Sequence, residues 1–175
     1  VNASADMSRD AELAKNGNTE AFARLYALVY EDMYHIALYS LKNSHDACDA
    51  VSEAVLDAFR QIATLRDGKA FRGWIMKILS AKIKRTQKEY FNSFDSIEEQ
   101  EQAEDFSFEN TELRDALSRL EPVSRLILSM TVLGGYTSEE VSQVCGLKAS
   151  AVRSRLTRVK KQLRAELLER GKNYE

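Results

Sequence analysis

Along most of the chain apolar residues return at three- and four-residue steps, the spacing of one helix face. After a short lead, Asn18 reads as an N-cap. Phe22, Leu25, Tyr26, Val29, Tyr30, Met33, Ile36 and Ala37 then predict one long helix to about Ser40. Ser44 is expected to cap the next helix, with Ala47, Val51, Ala54, Val55, Ala58, Phe59 and Ile62 inside. Asp49, Ser52, Glu53 and Asp57 fall mostly off that stripe. Arg66-Asp67-Gly68-Lys69 is a turn signal. A third helix follows with Phe71, Trp74, Ile75, Ile78, Leu79 and Ile83 inward, and Arg72, Lys77, Lys82, Lys84, Arg85 and Lys88 outward.

The pattern stops from about Asn92 to Asn110, an acidic stretch without period that reads as a linker. Fully extended, its 19 residues span roughly 60 Å at ~3.3 Å each, or about 18 base pairs of duplex at ~3.4 Å. Beyond it, Leu113, Leu117 and Leu120 mark a short helix. Pro122 opens another, with Val123, Leu126, Ile127 and Met130 inside, and Gly134-Gly135 ends it. The expected fold is all-α: two small helical bundles joined by a flexible acidic linker. The first occupies 1–91, the linker 92–110, and a helix-turn-helix bundle 111–175.

Composition agrees with that class, since one Pro and seven Gly in 175 residues are too few turn formers for an all-β fold. No apolar run approaches the ~18 residues of a membrane span, and the first ten residues lack the basic-then-apolar order of a signal peptide. A cytoplasmic protein without membrane insertion is expected. Cys48 and Cys145 have no partner spacing and read as small buried hydrophobes. His35 and His45 stand outside any ligand cluster, so no metal, cofactor or catalytic residue is expected.

The net charge of −2 conceals strong blocks. Residues 66–88 carry eight basic and one acidic side chain, and residues 148–175 carry nine and three. Residues 89–112 carry nine acids and no base. Two separate basic segments can each meet phosphate, while the acidic remainder discourages indiscriminate binding.

Thr137 to Leu163 carries the most specific signal. Thr137-Ser138-Glu139-Glu140 is a capping-box pattern, Gly146 breaks the short helix it opens, and a last helix runs from about Ala149 to Leu168. Val141 and Val144 would pack against Val152 and Leu156 in a helix-turn-helix. Ser150, Arg153, Ser154 and Thr157 are the base-edge candidates. Arg155, Arg158, Lys160 and Lys161 are the phosphate candidates. In the other basic segment Phe71 and Trp74, with Tyr90 and Phe91 beyond, could stack on unpaired bases. Both Phe71 and Trp74 also lie on the inner stripe, where the pattern favours a core role.

These segments resemble the extracytoplasmic-function class of bacterial sigma factors, from about Asp10 to Leu168. The stretch LSRLEPVSRLILSMTVLGGYTSEEVSQVCGLKASAVRSRLTRVKKQLRAEL is similar to the family's −35 reading domain. DACDAVSEAVLDAFRQIATLRDGKAFRGWIMKIL is similar to its first conserved domain. The resemblance implies that Asp49, Glu53, Leu56, Asp57 and Arg60 bind core RNA polymerase, docking on the β′ clamp helices, with the β subunit a further contact. It implies that Lys69, Phe71, Arg72, Lys77, Lys82, Lys84, Arg85 and Lys88 belong to the surface that opens and holds the −10 strand. It further implies promoter DNA and an anti-sigma protein as partners, and a monomer when free. Ser52, Val55, Ala81, Arg85 and Lys148 depart from the family pattern and imply an unusual promoter preference or a divergent subgroup. Two other classes compete with this one. One is a helix-turn-helix regulator that binds DNA alone. The other is an enzyme, for which no metal cluster, phosphate-binding Gly loop or nucleophile–base pairing is visible.

Overall fold

The computed structural model describes residues 3–93 and 111–171. All regular structure among them is helical: α1 Ala3–Lys15, α2 Thr19–Ala27, α3 Tyr30–Leu41, α4 Ser44–Gln61, α5 Phe71–Ser93, α6 Thr111–Ser118, α7 Pro122–Val132, α8 Ser138–Cys145 and α9 Ala149–Gly171. Two short 3-10 turns, 62–64 and 68–70, join α4 to α5. The all-α expectation holds, with a first bundle of α1–α5 and a second of α6–α9. Asn92 and Ser93 close α5; the rest of the expected linker lies outside the described residues.

Local chemistry sets the helix ends. Asn18 caps α2 as expected, its Oδ1 accepting from the Ala21 N–H at 2.9 Å. Asn43 caps α4 by accepting from the Asp46 N–H at 3.1 Å, so the cap stands one residue before Ser44. The single long helix expected to Ser40 is broken at Leu28–Val29. No Gly or Pro announces the break. It lets α2 turn Phe22 and Leu25 toward α1, while α3 turns Met33 and Ile36 toward α4, α5 and α7. The apolar spacing suits a continuous helix and a bent one equally. The expected lead is itself α1, which buries Ala11 and Ala14. It is fastened to α2 by a two-pronged Asp10–Arg24 pair at 2.6 and 3.0 Å.

The two bundles press their apolar faces together. One buried cluster runs from Phe22, Met33 and Ile36 through Ile75, Leu79 and Ile83 to Leu126, Met130, Tyr136, Val141, Val144 and Val152. A smaller cluster of Leu117, Leu120, Leu128 and Val159 belongs to the second bundle, and Tyr39 of α3 packs against it. The two bundles thus share one buried cluster across their joint. Ile127, Met130, Val141 and Val144 offer more apolar surface than α9 covers, and burying it against α3 and α5 removes it from water.

Polar contacts across this joint share one character. Ser80 Oγ donates to the Val144 carbonyl at 3.3 Å, and Lys84 Nζ donates to the Cys145 carbonyl at 2.9 Å. Gln87 Nε2 reaches the Pro122 carbonyl at 3.4 Å, and Arg72 donates to the Gly134 carbonyl. In return Arg125 donates to the Ser40 carbonyl at 3.3 Å. All these acceptors are main-chain oxygens. Gly134 is required where it stands, because a Cβ there would lie 2.6 Å from the Tyr136 ring.

Candidate nucleic-acid interface

The helix-turn-helix forms as the sequence predicts. Thr137 Oγ1 accepts from the Glu140 N–H at 3.2 Å, and Glu140 Oε2 accepts from the Thr137 N–H at 2.8 Å, a reciprocal capping box. The Thr137 N–H, with its hydroxyl adding to it, bonds the carboxylate and holds the Glu140 carboxyl below its ordinary range. Gly146 ends α8 in the left-handed region at φ 70°, and its N–H donates to the Ser142 carbonyl. Thr137→Ala removes the cap and is expected to cost about 1 kcal/mol, read as a lower midpoint in urea denaturation with an unchanged slope.

On α9, Val152 and Val159 face inward. Ser150, Arg153, Ser154, Thr157, Arg158, Lys160 and Lys161 are exposed, and Arg155 is half-buried. Over the described residues of the second basic segment, 148–168, the cations other than half-buried Arg155 therefore form an outward face. Arg153 Nη1 is 2.6 Å from Glu139 Oε1 in the first turn of α8. Arg155 pairs with Glu121 at the start of α7, and the Thr157 hydroxyl donates to the Arg153 carbonyl at 3.0 Å. The α8–turn–α9 geometry thus presents the base-edge candidates on two successive helical turns.

The −10 candidates divide. Lys69, Lys77 and Lys88 are exposed. Arg72 is held by Asp32 at 2.9 Å, by the Gly134 carbonyl, and by the face of Tyr136, whose ring centroid is 4.2 Å from the guanidinium carbon. Lys82 lies 2.5 Å from Asp57 and 3.4 Å from Glu53, while Arg85 lies 2.7 Å from Glu53. The Arg85 bond holds the Glu53 carboxyl below its ordinary range, with Lys82 adding to it. The Lys82 bond does the same for Asp57. Candidates for −10 DNA on α5 are thus paired with candidates for polymerase on α4, a match across 25 or more residues that local pattern cannot reveal.

Phe71, named with the −10 surface by the resemblance, lies in the core, where its inner-stripe position favours it. It is 0% exposed and meets Phe22 edge-on at 6.3 Å and Trp74 at 6.0 Å. Trp74 is half-buried against the same core. Tyr90 donates its hydroxyl to Asp46 of α4, and Phe91 remains exposed. Of the polymerase candidates, Asp49, Leu56 and Arg60 are exposed and Glu53 and Asp57 half-buried. Phe59, expected inside, is 44% exposed beside Leu56 at 55%, though its ring still meets Phe22 edge-on at 5.1 Å. Cys145 is buried as expected, but Cys48 is exposed.

Sequence reasoning passed over Arg125, Tyr136 and Asp32. Arg125 is 8% exposed and donates to the Leu120 carbonyl at 2.6 Å as well as to Ser40. Burial pulls its pKa below the ordinary arginine value. A lone cation inside the apolar run of α7 was the available signal.

A capped helix-turn-helix with a cationic outer helix, behind a bundle carrying a second basic helix, defines a class of two-part DNA-binding proteins. Family comparison narrows this. The Sigma-70 region 2 model matches residues 25–89 and the Sigma-70 region 4 model residues 110–163, together more than half of the chain. Among relatives, RNA polymerase sigma factor SigV of Bacillus subtilis is 26% identical over 141 residues, covering 78% of this chain and 85% of SigV. ECF RNA polymerase sigma factor BldN of Streptomyces coelicolor is 28% identical over 167 residues, covering 86% of this chain and 62% of BldN. The fold is similar to CnrH, solved with the cytosolic domain of CnrY, at TM-score 0.71 and 21% identity over 93% of this chain and 97% of that one. It is also similar to the sigma factor RpoE of Bartonella quintana, solved with the anti-sigma factor NepR, at TM-score 0.69 and 21% identity over 85% and 98% of the two chains. The chain belongs to the sigma-70 family, in its extracytoplasmic-function class.

Proposed function

We propose that this sigma factor directs core RNA polymerase to a defined set of promoters, with α9 on the −35 duplex and α5 on the −10 strand. The observation that carries the reading is the outward cationic face of α9 behind an intact capping box, within the segment that matches region 4. Ser150, Arg153, Ser154 and Thr157 would meet base edges; Arg155, Arg158, Lys160 and Lys161 would meet phosphates. Lys69, Lys77 and Lys88, with Arg72, Lys82, Lys84 and Arg85 once released from their partners, would follow the −10 strand.

The α4 patch of Leu56 and Phe59, with Asp49, Glu53, Asp57 and Arg60 around it, would dock on the β′ clamp helices. Apolar anchors within a charged rim are the usual anatomy of such a contact. The β subunit would take a further contact. The functional units would be 1–91 and 111–175. The chain would act as a cytoplasmic monomer when free and catalyse nothing itself. Among the described residues no helix is long and apolar enough to cross a membrane. An anti-sigma protein would hold the chain inactive, as the complex of the Bartonella RpoE with the anti-sigma factor NepR suggests by analogy.

The test is reconstitution with core polymerase on a genomic promoter library. Stoichiometric association and transcription from promoters sharing −35 and −10 elements are expected. Tight autonomous operator binding without any polymerase association would instead favour a stand-alone regulator. Replacing Asp49 with Lys and Leu56 with Asp should weaken core binding by about 2 kcal/mol while leaving duplex binding through α9 unchanged, measured by competition for core polymerase and by anisotropy.

A further inference from the structure

We propose that Glu139 is a specificity-determining residue of the −35 contact: from the first turn of α8 it positions Arg153 for a guanine edge and holds it off phosphate. The inference rests on α9 reading the −35 duplex.

The cations of α9 differ in their partners. Arg158, Lys160 and Lys161 are exposed, with no acid paired to them among the described residues. Arg155 is half-buried and pairs with Glu121 at the start of α7. Arg153 is exposed and yet meets a carboxylate, with Nη1 2.6 Å from Glu139 Oε1 and both side chains more than half exposed. An acid at that place weakens attraction to every phosphate, because the pair carries no net charge. It weakens a base reader far less. A guanine edge is neutral and is recognised by the direction of its acceptors.

The geometry favours the second use. A guanidinium is a planar fork with more than one usable edge. Glu139 engages Nη1 alone, so the Nε–Nη2 edge stays open for the O6 and N7 of guanine. A carboxylate on one arm also sets the plane of the fork, which a free arginine would spread over many rotamers. Glu139 can aim because its own helix is fixed. Thr137 caps α8 at one end, Gly146 closes the other, and Val141 and Val144 are buried beneath it. Glu140, the next residue, accepts from the Thr137 N–H and hydroxyl at 2.8 and 2.9 Å, within its own turn. Two adjacent acids thus divide their tasks: Glu140 caps the helix and Glu139 reaches across to α9.

The experiment uses the full chain assembled with core RNA polymerase. Transcripts from a promoter library randomised over the −35 stretch are sequenced, which gives the preference at each base pair. Binding of the full chain alone to a randomised duplex is read by anisotropy at two salt concentrations. Glu139→Gln should lower the preference at one −35 base pair about five-fold. It should also tighten random-duplex binding about two-fold, with a steeper salt dependence. Glu121→Gln releases Arg155 instead and should leave the preference at that base pair at the wild-type value. In an Arg153→Ala background, Glu139→Gln should cause no further loss, because the side chain it positions is gone. Thermal melting followed by circular dichroism should give the same midpoint for wild type and Glu139→Gln, since the capping box uses Glu140.

Wild-type preference in Glu139→Gln would overturn the proposal. So would an undiminished further loss in the Arg153→Ala background, which would make Glu139 a DNA contact in its own right. Random-duplex binding unchanged by Glu139→Gln would overturn its role against phosphate. A wild-type chain without any −35 preference would instead sink the reading beneath the proposal, and the library shows that before any variant is compared.

Discussion

Phe71→Ala is expected to lower the unfolding free energy by about 3–5 kcal/mol. The side chain is 0% exposed at the start of α5, and its ring meets Phe22 of α2 and Trp74. Truncation forfeits the transfer free energy of the ring and leaves a hole that helices from three directions cannot all close. For a domain with typical total stability of about 5–15 kcal/mol, such a loss approaches unfolding. Urea denaturation followed by circular dichroism should show a much lower midpoint at an unchanged slope. Lys77→Ala, on the exposed side of the same helix, should move stability by no more than about 0.5 kcal/mol. If Phe71→Ala kept wild-type stability and lost only promoter opening, Phe71 would be a surface contact and its placement in the core would be wrong.

Arg153→Ala should relax discrimination at one −35 base pair by about 1–3 kcal/mol, roughly a five- to hundred-and-fifty-fold change in preference. Arg153 stands early on α9, exposed, with its guanidinium 2.6 Å from Glu139 across the turn. That exposed pair is itself worth little, so a guanine edge in the major groove can displace or share it. Arg158→Ala and Lys161→Ala should behave differently. Each should weaken binding by a similar factor on every sequence and reduce the salt slope by about one. The measurement is anisotropy on duplexes that differ by single base pairs, repeated at two salt concentrations. A uniform loss for Arg153→Ala would move it to the phosphate contacts.

How far the structure could be read from the chain depends on the range of the forces that set each part. The helix-turn-helix is written locally: Thr137, Glu140 and Gly146 fix the ends of α8, and Val152 and Val159 fix the inner face of α9. The break between α2 and α3 is not, because Val29 lies on the apolar stripe of either geometry and no residue there forbids a helix. α1 was missed because its buried contribution is mainly Ala11 and Ala14, whose small side chains make a faint stripe. The pairing of Lys82 and Arg85 with Asp57 and Glu53, and the capture of Arg72 by Asp32, join residues 25 to 40 positions apart. An outward-facing charge run seen in sequence cannot say whether solvent or another helix meets it. The same limit left Cys48 on the wrong side of the surface and Phe59 on the wrong side of the core.

The main-chain acceptors at the joint have a consequence for divergence. Arg72, Ser80, Lys84, Gln87 and Arg125 grip the oxygens of Gly134, Val144, Cys145, Pro122 and Ser40, which every amino acid supplies alike. Substitutions at several of the gripped positions leave the grip in place wherever the new side chain fits, and none of the gripped oxygens belongs to α9. The helix proposed to read the −35 element can therefore drift toward new target sequences without renegotiating how the two halves of the molecule hold one another.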